Sequence, residues 1–216
     1  MTAKTTAVET TDVSIHGPLD TTLARAARML GLADGEGARA ARLLALVFSL
    51  SAALVLLKGA QSGIFLMAYP RTMIPWAFAA SAITLATASM ASVPLAARLG
   101  PTRLASLTLG VSAALVLALR LLLWLGPPHV PFALYVVVEA ISGLLLIQVW
   151  SVVSEATNAR SAKRLLPIAG IGASAAWTIG GLGTPLLVHR VGTASLLVIA
   201  PALLLLCLGL VRSVAR

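Results

Sequence analysis

Six apolar runs, each near the roughly 20 residues a helix needs to cross about 30 Å of hydrocarbon, take up most of this 216-residue chain. They fall at 42–67, 73–97, 104–125, 131–154, 165–188 and 193–211, separated by polar or proline-containing breaks. None alternates polar and apolar residues with a period of two, which argues against a β-barrel. Hydrophobic residues make up 59% of the chain and charged residues 11%, and the mean hydropathy of +0.97 lies outside the soluble range. The sequence therefore predicts an all-α, polytopic membrane protein with six transmembrane helices.

The flanking segments divide the rest. Residues 1–19 are Thr-rich and poor in apolar side chains, as expected of a disordered cytoplasmic tail, and lack the basic and apolar regions of a signal peptide. In 20–41, Asp20 can cap a short amphipathic helix with Leu23, Ala27 and Leu30 on one face, suited to a membrane surface. Asp34 can cap the entry to the first span, bringing Arg39 and Arg42 to the interface, where long basic side chains snorkel. The six-helix domain occupies 42–211, and 212–216 form a second cytoplasmic tail.

Twelve of the sixteen basic residues lie on one side of these spans, in the N-terminal flank, after spans two and four, and at the C-terminal end. Because cytoplasmic loops carry the excess of Lys and Arg, both termini are expected in the cytoplasm. The net charge of +9 is accounted for by that bias and by anionic lipid head groups, and no aromatic cluster accompanies it to indicate nucleic acid. Arg outnumbers Lys by thirteen to three, which fits a bacterial inner (plasma) membrane.

Several chemistries lack their residues. Cys207 is the one cysteine, so neither a disulfide framework nor a thiolate metal site is expected. His16, His129 and His189 are scattered, with no spacing that gathers a metal or a catalytic dyad. No nucleophile motif or acid pair is present at membrane depth, so the expectation is a non-enzymatic protein without metal or cofactor.

Small residues spaced four apart mark faces where membrane helices approach closely. Ala80, Thr84, Ala88 and Ser92 line one face of the second span; Gly172, Ala176, Gly180 and Thr184 line one face of the fifth; Gly59 and Gly63 form a GxxxG pair in the first. Pro75, Pro94, Pro167, Pro185 and Pro201 sit in spans or at their edges, where they loosen the backbone ladder.

Against this background stand three charges inside spans, Lys58, Arg120 and Glu139, each costing about 3 kcal/mol at the centre of a helix in the bilayer. At 1.5 Å per residue, Lys58 lies roughly 24 Å beyond Arg42, Glu139 roughly 12 Å inward from Pro131, and Arg120 roughly 9 Å inward from Gly126. All three then occupy the outer half of the membrane. The face of Glu139 also presents Ser142, Gly143 and Trp150; that of Lys58 presents Gln61, Ser62 and Phe65; Gln148 turns to the opposite side from Glu139. Two readings follow. One is a structural salt bridge from Arg120 to Glu139, with Lys58 snorkelling outward. The other makes Lys58 an anchor for a phosphate or carboxylate and Glu139 its gating partner.

The run 150–181, WSVVSEATNARSAKRLLPIAGIGASAAWTIGG, carries a Trp near a helix end, the Asn158 region, a basic Ala-Lys-Arg-Leu turn and a glycine-rich fifth span. It resembles the fourth-to-fifth helix connection of the bacterial and plastid ATP/ADP translocase family, a major-facilitator-like group of nucleotide transporters. The leader GLADGEGARAARLLAL, 31–46, resembles the entry to that family's first helix, and the resemblance covers roughly 31–211. It implies a major-facilitator-like half bundle and nucleotide exchange, with Lys58 and Glu139 at the places of the family's first-span basic residue and fourth-span Glu. Arg120, Gln61 and Trp150 join them as candidate substrate-binding residues, and Asn158, Lys163 and Arg164 as candidate gating residues of the cytoplasmic loop. Ser62 or its neighbours stand where the family often has an acid, and AARLGPTRL, 96–104, keeps the facilitator loop motif without its Asp. Family members carry two six-helix halves, so the resemblance also implies a second half: another copy, a partner chain or a C-terminal continuation.

A transporter half for an anionic solute, a nucleotide by the resemblance, thus stands beside a non-transporting membrane scaffold or sensor domain. A membrane-embedded enzyme ranks behind both.

Overall fold

Each apolar run lies within a long helix or, for the second, within a helix and the short turn that leads into it. The computed structural model describes residues 37–157 and 159–214. In chain order these form α1 (Gly37–Ala68), a 3-10 turn (Arg71–Met73), α2 (Ile74–Leu99), α3 (Pro101–Leu125), α4 (Val130–Glu155), α5 (Ala159–Val191) and α6 (Thr193–Val214). All six helices are long and apolar enough to cross a bilayer, and no strand occurs among the described residues. The chain is a multi-pass membrane protein.

The breaks have local causes. Gly100, Gly126 and Gly192 end α2, α3 and α5 with φ of 75°, 85° and 79°, a left-handed region in which a side chain would be strained. Prolines in the first turns of α2, α3 and α4 occupy positions whose N–H has no intrahelical acceptor. Within the spans, hydroxyls turn back on their own helix: Ser81, Ser142 and Thr184 donate to the carbonyls of Ala77, Val138 and Gly180 at 2.6–2.7 Å. A polar side chain is thereby satisfied without water.

α1 is the most buried helix and α2 the most exposed. The small-residue stripe of α5 lies against α1. A Cβ placed on Gly172 would sit 3.0 Å from the Leu44 carbonyl oxygen, one on Gly180 2.9 Å from Val55 Cγ1, and one on Gly59 of α1 2.8 Å from Thr184 Cγ2. Gly63 meets Thr193 at the start of α6. Elsewhere α3 packs on α6, and α2 and α3 both pack on α4. The stripe Ala80, Thr84, Ala88 and Ser92 is half-buried and runs beside the buried Ala77 and Ser81 of α2.

Side chains tie the helix ends. Arg39 donates to the Ala156 carbonyl at the C-terminal end of α4, and Arg42 Nη1 to the Ser213 carbonyl at the end of α6, 3.4 Å away. A cation at a helix C-terminus meets unpaired carbonyls and the negative end of the dipole. These two exposed arginines thus bond to the ends of other helices. At the opposite ends, Tyr69 Oη donates to the Pro128 carbonyl at 3.0 Å.

The helices extend past the apolar runs at both ends of the chain's membrane domain. Residues 37–41 belong to α1, and 212–214 continue α6 as helix. The tail at 1–19 and the amphipathic segment 20–36 lie outside the described residues.

Candidate functional site

Lys58 and Glu139 meet. Lys58 is ten residues from the end of α1 and Glu139 nine from the start of α4, which puts both roughly 14–15 Å inward from the same end of the bundle. Lys58 Nζ donates to Glu139 Oε1 at 2.6 Å, and Gln61 Nε2 donates to Oε2 at 2.8 Å. Lys58 and Gln61 are three apart, hence neighbours on one face of α1, and together they engage both carboxylate oxygens. Gln61 is buried, and its Oε1 has no hydrogen-bond partner among the described residues.

The pair lines a hollow of about 330 Å³. α1 contributes Leu54 and Lys58; α4 contributes Glu139, Ser142, Gly143 and Leu146. α2 adds Phe78, Ser81, Ala82 and Leu85, and α5 adds Trp177. On α1 the two residues are four apart, and on α2 and α4 the first and last are seven apart with the other two three and four residues on from the first, one helical face turned to a common space. Lys58 and Glu139 keep 31% and 23% of their side-chain surface exposed, so neither is walled off from it.

One end of the hollow is aromatic. Phe78 lines it and packs edge-on against Tyr135, ring centroids 5.8 Å apart. Tyr135 in turn contacts Phe65 at 4.8 Å, and Tyr69 and Phe132 complete the cluster. Tyr135 stands one turn from Glu139 and Phe65 two turns from Lys58. Toward the other end of α4, Leu146 is shared with an open groove lined by Ile147, Trp150, Ser151 and Ser154.

Among the expected site residues, the structure gathers Lys58, Glu139 and Gln61. It does not bring Arg120 to them. Arg120 Nε donates to the Ala194 carbonyl at 3.1 Å, joining α3 to the start of α6, so the expected Arg120–Glu139 salt bridge is replaced by Lys58–Glu139. Lys58 is held inside the bundle and does not snorkel outward. Trp150 faces the groove, one helical turn along α4 from the residues of the hollow. Lys163 and Arg164, expected in a loop, are exposed on the first turns of α5, because that helix begins at Ala159. Asn158 lies outside the described residues. Gln148 is buried, and neither heteroatom of its amide has a hydrogen-bond partner among the described residues.

The walls from α2 and α5 carry little signal in the sequence. The face Phe78, Ser81, Ala82, Leu85 has a helical signature, but its polarity comes from one serine and does not stand out in an apolar span. Among the described residues no three His, Cys, Asp or Glu side chains come together as a metal site. No family model matches the chain, and neither a curated protein nor a solved structure matches it.

Proposed function

We propose that this protein is a transporter, or one six-helix half of one, that carries an anionic solute across the membrane by alternating access, with exchange of ATP for ADP as its specific form. The observation that carries this reading is the Lys58–Glu139 pair lining a hollow between α1, α2, α4 and α5. A partly exposed ion pair at this depth is not tolerated against hydrocarbon, so the hollow has to hold water or solute, or be covered by protein. Lys58 supplies the positive charge for a phosphate, Glu139 occupies it in the absence of solute, and Phe78 and Trp177 offer apolar walls. The resemblance of 150–181 to nucleotide translocases selects ATP and ADP among anions.

In this reading the fold is a major-facilitator-like half whose second half is another copy, a partner chain or a continuation of this one. Both termini are cytoplasmic, the membrane is a bacterial inner membrane, and the protein is a carrier rather than an enzyme. Liposomes containing the purified protein are expected to exchange labelled ATP for internal ADP. Lys58→Met, still folded, should lower exchange about tenfold to a hundredfold, the worth of one hydrogen bond to a charged group. Normal exchange in that variant overturns the proposed anchor.

A second reading, a scaffold or sensor domain, draws on the same contacts, since both oxygens of Glu139 are already engaged from α1. It predicts no exchange in any variant, with Lys58→Met acting on stability alone.

A further inference from the structure

We propose that each anion bound at Lys58 brings one proton onto Glu139, so that solute and proton cross together. The inference rests on the transporter reading above and concerns what becomes of Glu139 when Lys58 turns to a solute.

In the structure Glu139 has two donors, the Lys58 ammonium and the Gln61 amide, one on each oxygen. Only Lys58 carries charge. An anion that takes the ammonium leaves a carboxylate at membrane depth facing a neutral amide, and a partly buried ion deprived of its counterion is relieved by neutralisation. A proton from water in the hollow adds to a carboxylate oxygen of Glu139, making an O–H. One O–H bond of a hydronium ion in that water breaks as this one forms, a water molecule is left, and no other bond changes.

Gln61 accommodates both forms. Toward the ionised carboxylate it presents Nε2–H, and its Oε1 is then the atom left without a partner. A half-turn of the amide exchanges the two ends and presents Oε1 to the O–H of the neutral acid, leaving the nitrogen end unpartnered. Each form strands one end of the same buried amide, so Gln61 does not hold Glu139 to either form. A lysine or arginine at this position would.

Few other titratable groups face Glu139. From α1 there is Lys58, and on α4 itself Tyr135 stands one turn away. The residues that α2 and α5 contribute to the hollow include no titratable side chain. On α3, Arg120 is bonded to the Ala194 carbonyl of α6. The coupling therefore runs between Lys58 and Glu139, and by reciprocity a proton on Glu139 strengthens anion binding as much as the anion strengthens protonation.

The test is calorimetric titration of the purified protein with ATP at pH 7, in two buffers of different ionisation heat, which counts protons taken up per ATP bound. Wild type is expected to take up about one proton more than Glu139→Gln, the difference cancelling the proton changes of ATP itself. Glu139→Gln should bind ATP more tightly, having lost the competitor for Lys58. An infrared difference spectrum of wild type alone should gain a protonated-carboxyl C=O band on ATP addition, a readout that does not depend on the variant folding. ATP binding by wild type with neither excess proton uptake nor the carboxyl band overturns the coupling and leaves the transporter reading standing. Absence of ATP binding in wild type overturns both.

Discussion

At the scale of the residue, a carboxylate with each oxygen engaged from the facing helix makes Lys58 and Glu139 a thermodynamic unit. Removing either strands the other at membrane depth, whereas removing both leaves no unpaired charge. A double-mutant cycle of Lys58→Met and Glu139→Gln, read by thermal unfolding in detergent, should give a coupling of about 1–3 kcal/mol. The cycle of Arg120→Leu and Glu139→Leu should be additive to within about 0.5 kcal/mol, because Arg120 bonds to α6. Coupling in the second cycle and not in the first would contradict the site as described. Rise per residue made the depth of these charges legible in the sequence. Their partners were not, since nothing along one chain states how six helices are rotated about their axes, and rotation is what sends Arg120 to Ala194 and Lys58 to Glu139.

At the scale of the element, the contact of α5 with α1 depends on hydrogen standing where a Cβ would be. Gly180→Ala and Gly59→Ala would press on β-branched Val55 and Thr184, and Gly172→Ala on the Leu44 backbone, none of which yields easily. Each should destabilise by about 1–3 kcal/mol. Gly181→Ala meets open space and should be neutral or stabilising by up to about 1 kcal/mol, the helix propensity of Ala over Gly. Gly143→Ala falls between them, because the Leu85 methyl it meets is the end of a flexible side chain. Melting temperatures of the five variants check the order. The stripe on α5 was legible because a spacing of four survives translation into any helix. The first turns of α5 were not, since Lys163 and Arg164 read as loop until the helix is seen to begin at Ala159.

At the scale of the whole molecule, six crossings return the chain to the side from which α1 starts, and the proposed reading takes that side, rich in Lys and Arg, as cytoplasmic. A fluorescent protein fused after Arg216 should fluoresce, and Pro128→Cys, made in a Cys207→Ala background, should react with an impermeant maleimide added to intact cells. The opposite pattern reverses the orientation and with it the side toward which the aromatic cluster closes the hollow. The number of spans was plain from hydropathy; the hollow was not, because it needs four helices to enclose it and two of them contribute almost no polar side chain. The proposed function requires an aqueous space here that receives an anion. Its most direct measurement is the rate at which a charged, water-soluble thiol reagent modifies Ala82→Cys, on the α2 wall, in the Cys207→Ala background. Ready modification that saturating ATP slows is the predicted result, whereas a thiol as inert as one buried in lipid, or one modified at the same rate with and without ATP, would contradict it.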